Sequence, residues 1–515
     1  MKSFLILTTL TLAASAFGAP SDAADAAQRR DFQTVRALAA KKAGINAAQP
    51  DGTTALQWAA HWNDLDAVKA LLASGANPKL ANRYGVTPLS EAAAAGNPAM
   101  IEALLAAGAD PNTLTTADGE TVLMTAARSG SAEAVKILLA RGANVNAKEN
   151  YRGQTALMWA AAEHHADVAK LLLDHGADWK ILSTARDTAM PKLSAASSIS
   201  PMPRGGLTAF DFAAREGDVE TGRVMLDAGV DINEVDADNT SPLVVSILNK
   251  RYTYAKFLLD RGADPNIADA RGRAALYAAI DMRNEDYSAL PNHKETDPMP
   301  SLDLIQAILD HGANPNAALT RAIAGRSGMD AGDTTLGTGA TPFMRAARAG
   351  DVPTMQALLK KKADPSLTTK DGTNAMQFAA GVGYRDKGTK GTEAEALDAL
   401  KLALSLGMDI NRENNRGETA LHGAASRGAD TIVQYLIGQS AKLNAATKQG
   451  MTPLDYALGK NVVAQLPVPH DSTVELIRKS GGIEGKPVAL GPPGAFGPRA
   501  APPAAPDNKA PQAAK

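Results

Sequence analysis

Thr54-Ala55-Leu56-Gln57-Trp58-Ala59-Ala60, Thr87-Pro88-Leu89-Ser90-Glu91-Ala92-Ala93 and Thr121-Val122-Leu123-Met124-Thr125-Ala126-Ala127 are one phrase written three times. Related blocks open at Thr155, Thr208, Ser241, Ala274, Thr341, Asn374, Thr419 and Thr452, making eleven. A glycine stands two residues ahead of nearly every block, from Gly52 and Gly85 to Gly417 and Gly450, with Asn239 as its one substitute. Successive glycines are 33 or 34 residues apart, except for spacings of 53, 67 and 45. A fixed period of this size is the mark of stacked structural repeats.

The residues within a period specify its parts. Thr, Ser or Asn at the block start caps a helix, because its side-chain oxygen accepts from the free backbone N–H groups. Ala274 alone lacks such an oxygen. Pro88, Pro242, Pro342 and Pro453 follow at the first helical position, where a missing N–H costs nothing. Leu and paired Ala then form one small apolar face. Gly96, Gly130, Gly217, Gly350, Gly383 and Gly428 supply a turn, and Asn63 and Asn461 tolerate the same left-handed backbone. A second helix carries a Leu-Leu pair and stops at a glycine cap, as in Leu71-Leu72-Ala73-Ser74-Gly75. Lys362 and Ser440 replace that glycine, so strain or another cap is expected there. Asp or Asn after the cap bonds its own backbone and shapes a finger-like β-turn. One such unit cannot bury its own apolar face, so neighbours must stack.

The blocks Thr87-Pro88-Leu89 and Leu258-Leu259-Asp260-Arg261-Gly262-Ala263-Asp264-Pro265-Asn266 resemble the signatures of the ankyrin repeat family. The resemblance runs from about Ala23 to Gly482. It implies an all-α ankyrin repeat solenoid of about 12 helix-turn-helix units with β-turn fingers. Residues 20–50 read as an atypical capping repeat and 51–483 as the array. Residues 484–515, rich in Pro and Ala, read as a disordered tail.

Composition agrees with this reading. The 515 residues hold only four Trp, nine Tyr and nine Phe, so the apolar mass is aliphatic and favours short, closely packed helices. A net charge of −2 excludes a generic nucleic-acid binder. No cysteine is present, which removes disulfides, thiolate metal sites and thiol nucleophiles. Lys2, the apolar run Phe4 to Ala14 and Ala14-Ser15-Ala16 form a secretory leader pattern over residues 1–19. A periplasmic or secreted protein with no lipid anchor and no membrane span is therefore expected.

The long spacings place four insertions near residues 181–205, 281–301, 317–338 and 384–395. Insertions in repeats often map to a binding face. No catalytic constellation accompanies them, and neither a cofactor nor a metal site is expected. Gly383 to Gly388 has phosphate-loop spacing, but Thr389 stands where its lysine belongs. Asp231 to Asp236 lacks the central Gly and terminal Glu of a calcium loop. His164-His165 and His175 sit at helix ends, and Ser327 has no assignable base.

What remains is a surface. In the ankyrin resemblance, fingers and first helices line a concave groove. The register selects six slots per repeat there, and they hold fourteen basic residues against ten acidic. Eight aromatics fall on the same slots. Trp58, Trp159, Phe212, Phe378 and Tyr456 are read mainly as packing between first helices; Trp62, Tyr84 and Tyr151 are read as more exposed. The candidate partner-binding residues are Trp62, Arg83, Tyr84, Arg128, Tyr151, Arg152, Arg215, Arg271, Arg273 and Arg348. The expectation is an exported, non-catalytic scaffold that binds another protein. The alternatives are a ligand site or enzyme built by the extended fingers, and a host-directed secreted effector.

Overall fold

The structure, a computed structural model, describes residues 22–42, 44–116, 118–187, 203–284, 296–323, 336–383, 391–460 and 469–486. Those residues form twenty-four helices in twelve consecutive pairs, from Asp22–Gln28 with Phe32–Ala40 to Pro453–Ala457 with Asp471–Lys479. First helices are mostly seven residues long and second helices nine, as in Ala55–His61 and Leu65–Ala73. The chain divides into two compact units. The first comprises Met1–Pro342 and Gln356–Ala363, the second Phe343–Met355 and Asp364–Lys515.

In the first unit each first helix packs on the first helix of the next repeat, from Asp22–Gln28 through to Ala275–Asn284. Second helices form a parallel layer behind them, and the second unit repeats the plan. The core is alanine and leucine: Ala55, Leu56, Ala59 and Ala60 are all but inaccessible, as are Val68 and Leu71 across the pair. Small side chains let helices this short approach closely and still bury a continuous face. Gly222 shows how close the approach becomes, since a Cβ there would meet the Tyr254 hydroxyl at 2.5 Å.

The expected caps form. Thr54, Thr87, Thr121 and Thr208 accept from the third residue of their helices, whose side chains return the bond. Asn374 does the same in the second unit. Lys362 and Ser440 take no alternative cap but adopt the left-handed backbone of the glycines they replace, with φ of 66° and 64°. Asn63 and His164 do likewise between paired helices, at 57° and 64°.

The insertions enter the fold in different ways. Arg186–Asp187 pairs with Pro203–Arg204 in a two-residue antiparallel ladder, the only named strands among the described residues. Helix Ala275–Asn284 runs ten residues, three longer than most first helices. Residues 384–390 lie outside the described residues, but 393–395 are not turn. They open the thirteen-residue helix Glu393–Ser405, capped by Thr392, so part of that insertion lengthens a helix.

Candidate functional site

The fingers are positioned by two recurring bonds. The first joins neighbouring tips through the backbone: Arg83 N donates to Asp51 O at 2.9 Å, and Lys448 N to Arg416 O at 2.9 Å. The second comes from the third residue of the first helix, reaching forward to the next finger. Gln57 Nε2 donates to Val86 O at 2.6 Å. Gln377 Nε2 donates to Glu418 O at 2.8 Å, and His422 Nε2 to Met451 O at 3.2 Å. Burial pulls His422 down to about 4, so the ring is neutral near pH 7; its Nδ1 accepts from Thr419 N.

On fingers held this way stand the exposed aromatics among the candidate residues. Tyr84 is 60% exposed and Tyr151 50%. Each has an arginine as its sequence neighbour. Arg83 lies 4.8 Å from the Tyr84 ring centroid and donates to its hydroxyl, and Arg152 lies 5.7 Å from the Tyr151 ring. Both arginines are exposed, and neither has a carboxylate at ion-pair distance among the described residues. Glu149, three residues before Arg152, is buried and accepts the backbone N–H groups of Tyr151, Arg152 and Gln154.

A second arginine pattern lies at the ends of the first helices. Arg30 covers Trp62 at 3.7 Å, Arg128 covers Trp159 at 5.1 Å, and Arg215 covers Phe212 at 4.6 Å. Trp62 is thus half-buried, not open: it stacks on Trp58 and meets His61 edge-on as well. An open depression of about 620 Å³ lies beside it, lined partly by Arg30, Phe32 and Asp64. Its indole N–H has no acceptor among the described residues. Arg128 remains exposed and pairs with Glu120 at 3.4 Å. Arg215 is half-buried and held by Glu216 at 2.9 Å. Of the aromatics read as packing, Phe212, Phe378 and Tyr456 are buried, whereas Trp58 and Trp159 are half-buried.

Two arginines selected by register belong to the interior. Arg273 is 5% exposed and bonds Asp269 at 3.0 Å inside its finger. Arg348 is 4% exposed and donates to the backbone oxygens of Val382 and Gly383. Both bind the fold, so they leave the contact set. Arg271 is half-buried, and its guanidinium donates to Ala322 O at 2.8 Å.

One buried cluster went unnoticed in the sequence. Asp211 is 1% exposed, and Oδ2 accepts from Thr208 N and Oγ. Oδ1 is buried with no partner among the described residues. Burial, with the charges of Asp236 and Glu234 nearby, pushes its carboxyl up to about 7. Glu234 is raised to about 7 chiefly by burial, then by Asp231. Among the described residues no three His, Asp or Glu side chains group as metal ligands. His165 and His175 face backbone oxygens at 3.1 and 2.8 Å. Ser327 and most of the 383–388 loop lie outside the described residues.

Comparison with known proteins places these features in context. A family model described as Ankyrin repeats (3 copies) matches residues 24–115, 89–182, 210–297 and 392–477. A single Ankyrin repeat model matches 338–370. Transient receptor potential cation channel subfamily A member 1 of Homo sapiens is 24% identical over 233 residues, 45% of this chain and 17% of that protein. Ankyrin repeat domain-containing protein 63 of Mus musculus is 29% identical over 187 residues, 36% of this chain and 38% of that one. The crystal structure of the human ASB11 ankyrin repeat domain is 23% identical with a TM-score of 0.39, covering 47% of this chain and 98% of that one. The chain spans less than half the length of either of these curated relatives. No described helix is long and apolar enough to cross a membrane.

Proposed function

Because the chain belongs to the ankyrin repeat family, an interaction-scaffold architecture, we propose that it is an exported, non-catalytic scaffold that holds another protein on the fingers of its first unit. The observation that carries the reading is the pairing of exposed Tyr84 and Tyr151 with Arg83 and Arg152, cations with no carboxylate partner at the tips. Tyr and Arg dominate binding hot spots because each offers large, ordered area with a polar end. Trp62 and Arg128 flank this area on the first-helix ends, with part of their surface committed to Arg30 and Glu120. Arg215 and Arg271, both half-buried and bonded within the fold, contribute at its edge. Export is supported by Lys2, the apolar run after it and the small residues at 14–16, all outside the described residues.

The test is a photo-cross-linking amino acid at position 84 in the full-length chain, with the same probe at exposed Leu406 of the second unit as control. A discrete covalent adduct from position 84 and none from 406 is the expected result. No adduct from 84, or equal adducts from both, overturns the reading. The mature N-terminus, read by intact mass, tests export: an uncleaved leader counts against it.

A further inference from the structure

Four consecutive fingers of the first unit each present one large apolar side chain to solvent: Tyr84, Leu114, Tyr151 and Leu182, at 60%, 50%, 50% and 38% exposure. This regularity was not visible from the aromatic residues alone. Leu114 and Leu182 occupy the same register position, six residues past Gly108 and Gly176, and the tyrosines sit at the tips of the alternate fingers. Tip-to-tip backbone bonds, such as Thr184 N to Arg152 O, fix the fingers in order. Beside these anchors Lys79, Arg83, Lys148, Arg152 and Lys180 are exposed; Asp110, Asp118 and Asp178 are the opposing exposed acids. Lys148 Nζ reaches the backbone oxygen of Leu182, which carries positive charge from one finger to the next. The strip is therefore cationic on a protein whose net charge is −2.

We infer that this strip receives an extended acidic segment of polyproline-II type that carries an apolar residue at every third position. The inference rests on the scaffold reading above and names its partner's chemistry. Packed helices stand about 8–10 Å apart, so the fingers recur about every 8–10 Å, with tyrosine tips and leucines at the earlier finger position alternating along them. A polyproline-II chain rises ~3.1 Å per residue with three residues per turn, so every third side chain returns to one face after ~9 Å. A helix, at ~1.5 Å per residue, returns side chains to one face after about 5.4 Å and again after about 10.8 Å, on either side of the finger spacing. Exposed tyrosine rings suit proline, and such a segment is already ordered, which lowers the entropy lost on docking. Acidic residues at the remaining positions meet the unpaired arginines and the lysines.

Fluorescence anisotropy of the full-length protein with a labelled (Leu-Pro-Glu)n probe of about fifteen residues tests this. Saturable binding is expected, weakened about tenfold or more by Tyr84→Ala with Tyr151→Ala and, separately, by Leu114→Ser with Leu182→Ser. Added salt should weaken it severalfold. A Lys-for-Glu probe, and one of the same composition with its leucines clustered, should not bind. All four substituted residues are exposed, and circular dichroism verifies folding. Equal binding of matched and clustered probes, or binding unchanged in both double variants, overturns the inference. A discrete adduct at position 84 alongside either result would leave the scaffold reading standing, whereas loss of the adduct would remove both.

Discussion

In the second unit Gln377 and His422 each give a proton to a backbone oxygen of the following finger. In the first unit Gln57 does the same, yet Asp211 stands at that register position in its own repeat. Val86 O and Met451 O lie 29 residues past their donors and also accept the amides of Asn82 and Thr447. Thr240 O is the matching oxygen for Asp211, accepting the amide of Asp236 in the same way. An ionised carboxylate has no proton to give it, and Oδ1 is left buried without a partner. The same slot thus holds a neutral imidazole bonded to the next finger in one unit and, in the other, a buried carboxyl pushed up to about 7 whose hydrogen-bond partner is Thr208. A shared register fixes where a side chain goes; its proton inventory fixes which pH suits it there.

Removing the His422 ring should have the largest effect. His422→Ala removes a fully buried ring and leaves Met451 O and Thr419 N without those partners, a loss of about 3–5 kcal/mol in urea unfolding of the second unit. A loss under about 1 kcal/mol would show that the ring carries little of the joint.

The pH responses should run in opposite directions. The Asp211 carboxyl rises from its ordinary 3.8 to about 7 on folding. Between these values the folded chain keeps a proton the unfolded chain has released. The stabilisation is complete below about pH 4 and is lost as pH climbs through 7. His422 falls from 6.5 to about 4, so its contribution is complete above 6.5 and is lost as pH falls through 4. Hydrogen exchange, corrected for intrinsic rates, should show helix Ala209–Glu216 less protected at high pH and helix Ala420–Arg427 less protected at low pH. Asp211→Asn should shrink the first response, leaving the part that Glu234 and Asp236 contribute, and stabilise the unit above pH 7 by on the order of 1–3 kcal/mol. Slopes of the same sign in both helices would contradict the comparison.

Ser440→Gly should have the smallest effect. It relieves a left-handed serine at φ 64° and should raise second-unit stability by about 1 kcal/mol at every pH. Neither serine nor glycine titrates here, so the shift should be uniform across pH; a pH-dependent one would contradict a purely backbone effect.

Sequence and structure part company at identifiable residues. Periodicity carried the helix pairs, because Thr54, Thr87 and their counterparts cap through local bonds that need no distant partner. The left-handed Lys362 and Ser440 follow the same logic: the repeat imposes the turn, and the residue absorbs the strain. Tyr84 and Tyr151 were readable as exposed because finger tips project from the stack. Arg273 and Arg348 were not readable as buried, since their fate depends on Asp269 and on the carbonyls of the Val382 turn. Trp62 was misjudged for a similar reason: Arg30 comes from the repeat before it and covers the ring. Asp211 did leave a signal, an acid in the slot where Gln57, Gln377 and His422 stand, but its meaning needs the forward-facing oxygen that only the fold reveals.

The tip-to-tip bonds carry a consequence for descent. Arg83 N to Asp51 O, Thr184 N to Arg152 O and Lys448 N to Arg416 O employ the same two backbone atoms at each joint. Side chains do not enter these joints, so a crossover that duplicates or excises a whole period restores the same donor and acceptor at the seam. Array length can then change in a single genetic step while the anchors on retained fingers keep their spacing. Recombination could adjust reach separately from chemistry, one period at a time.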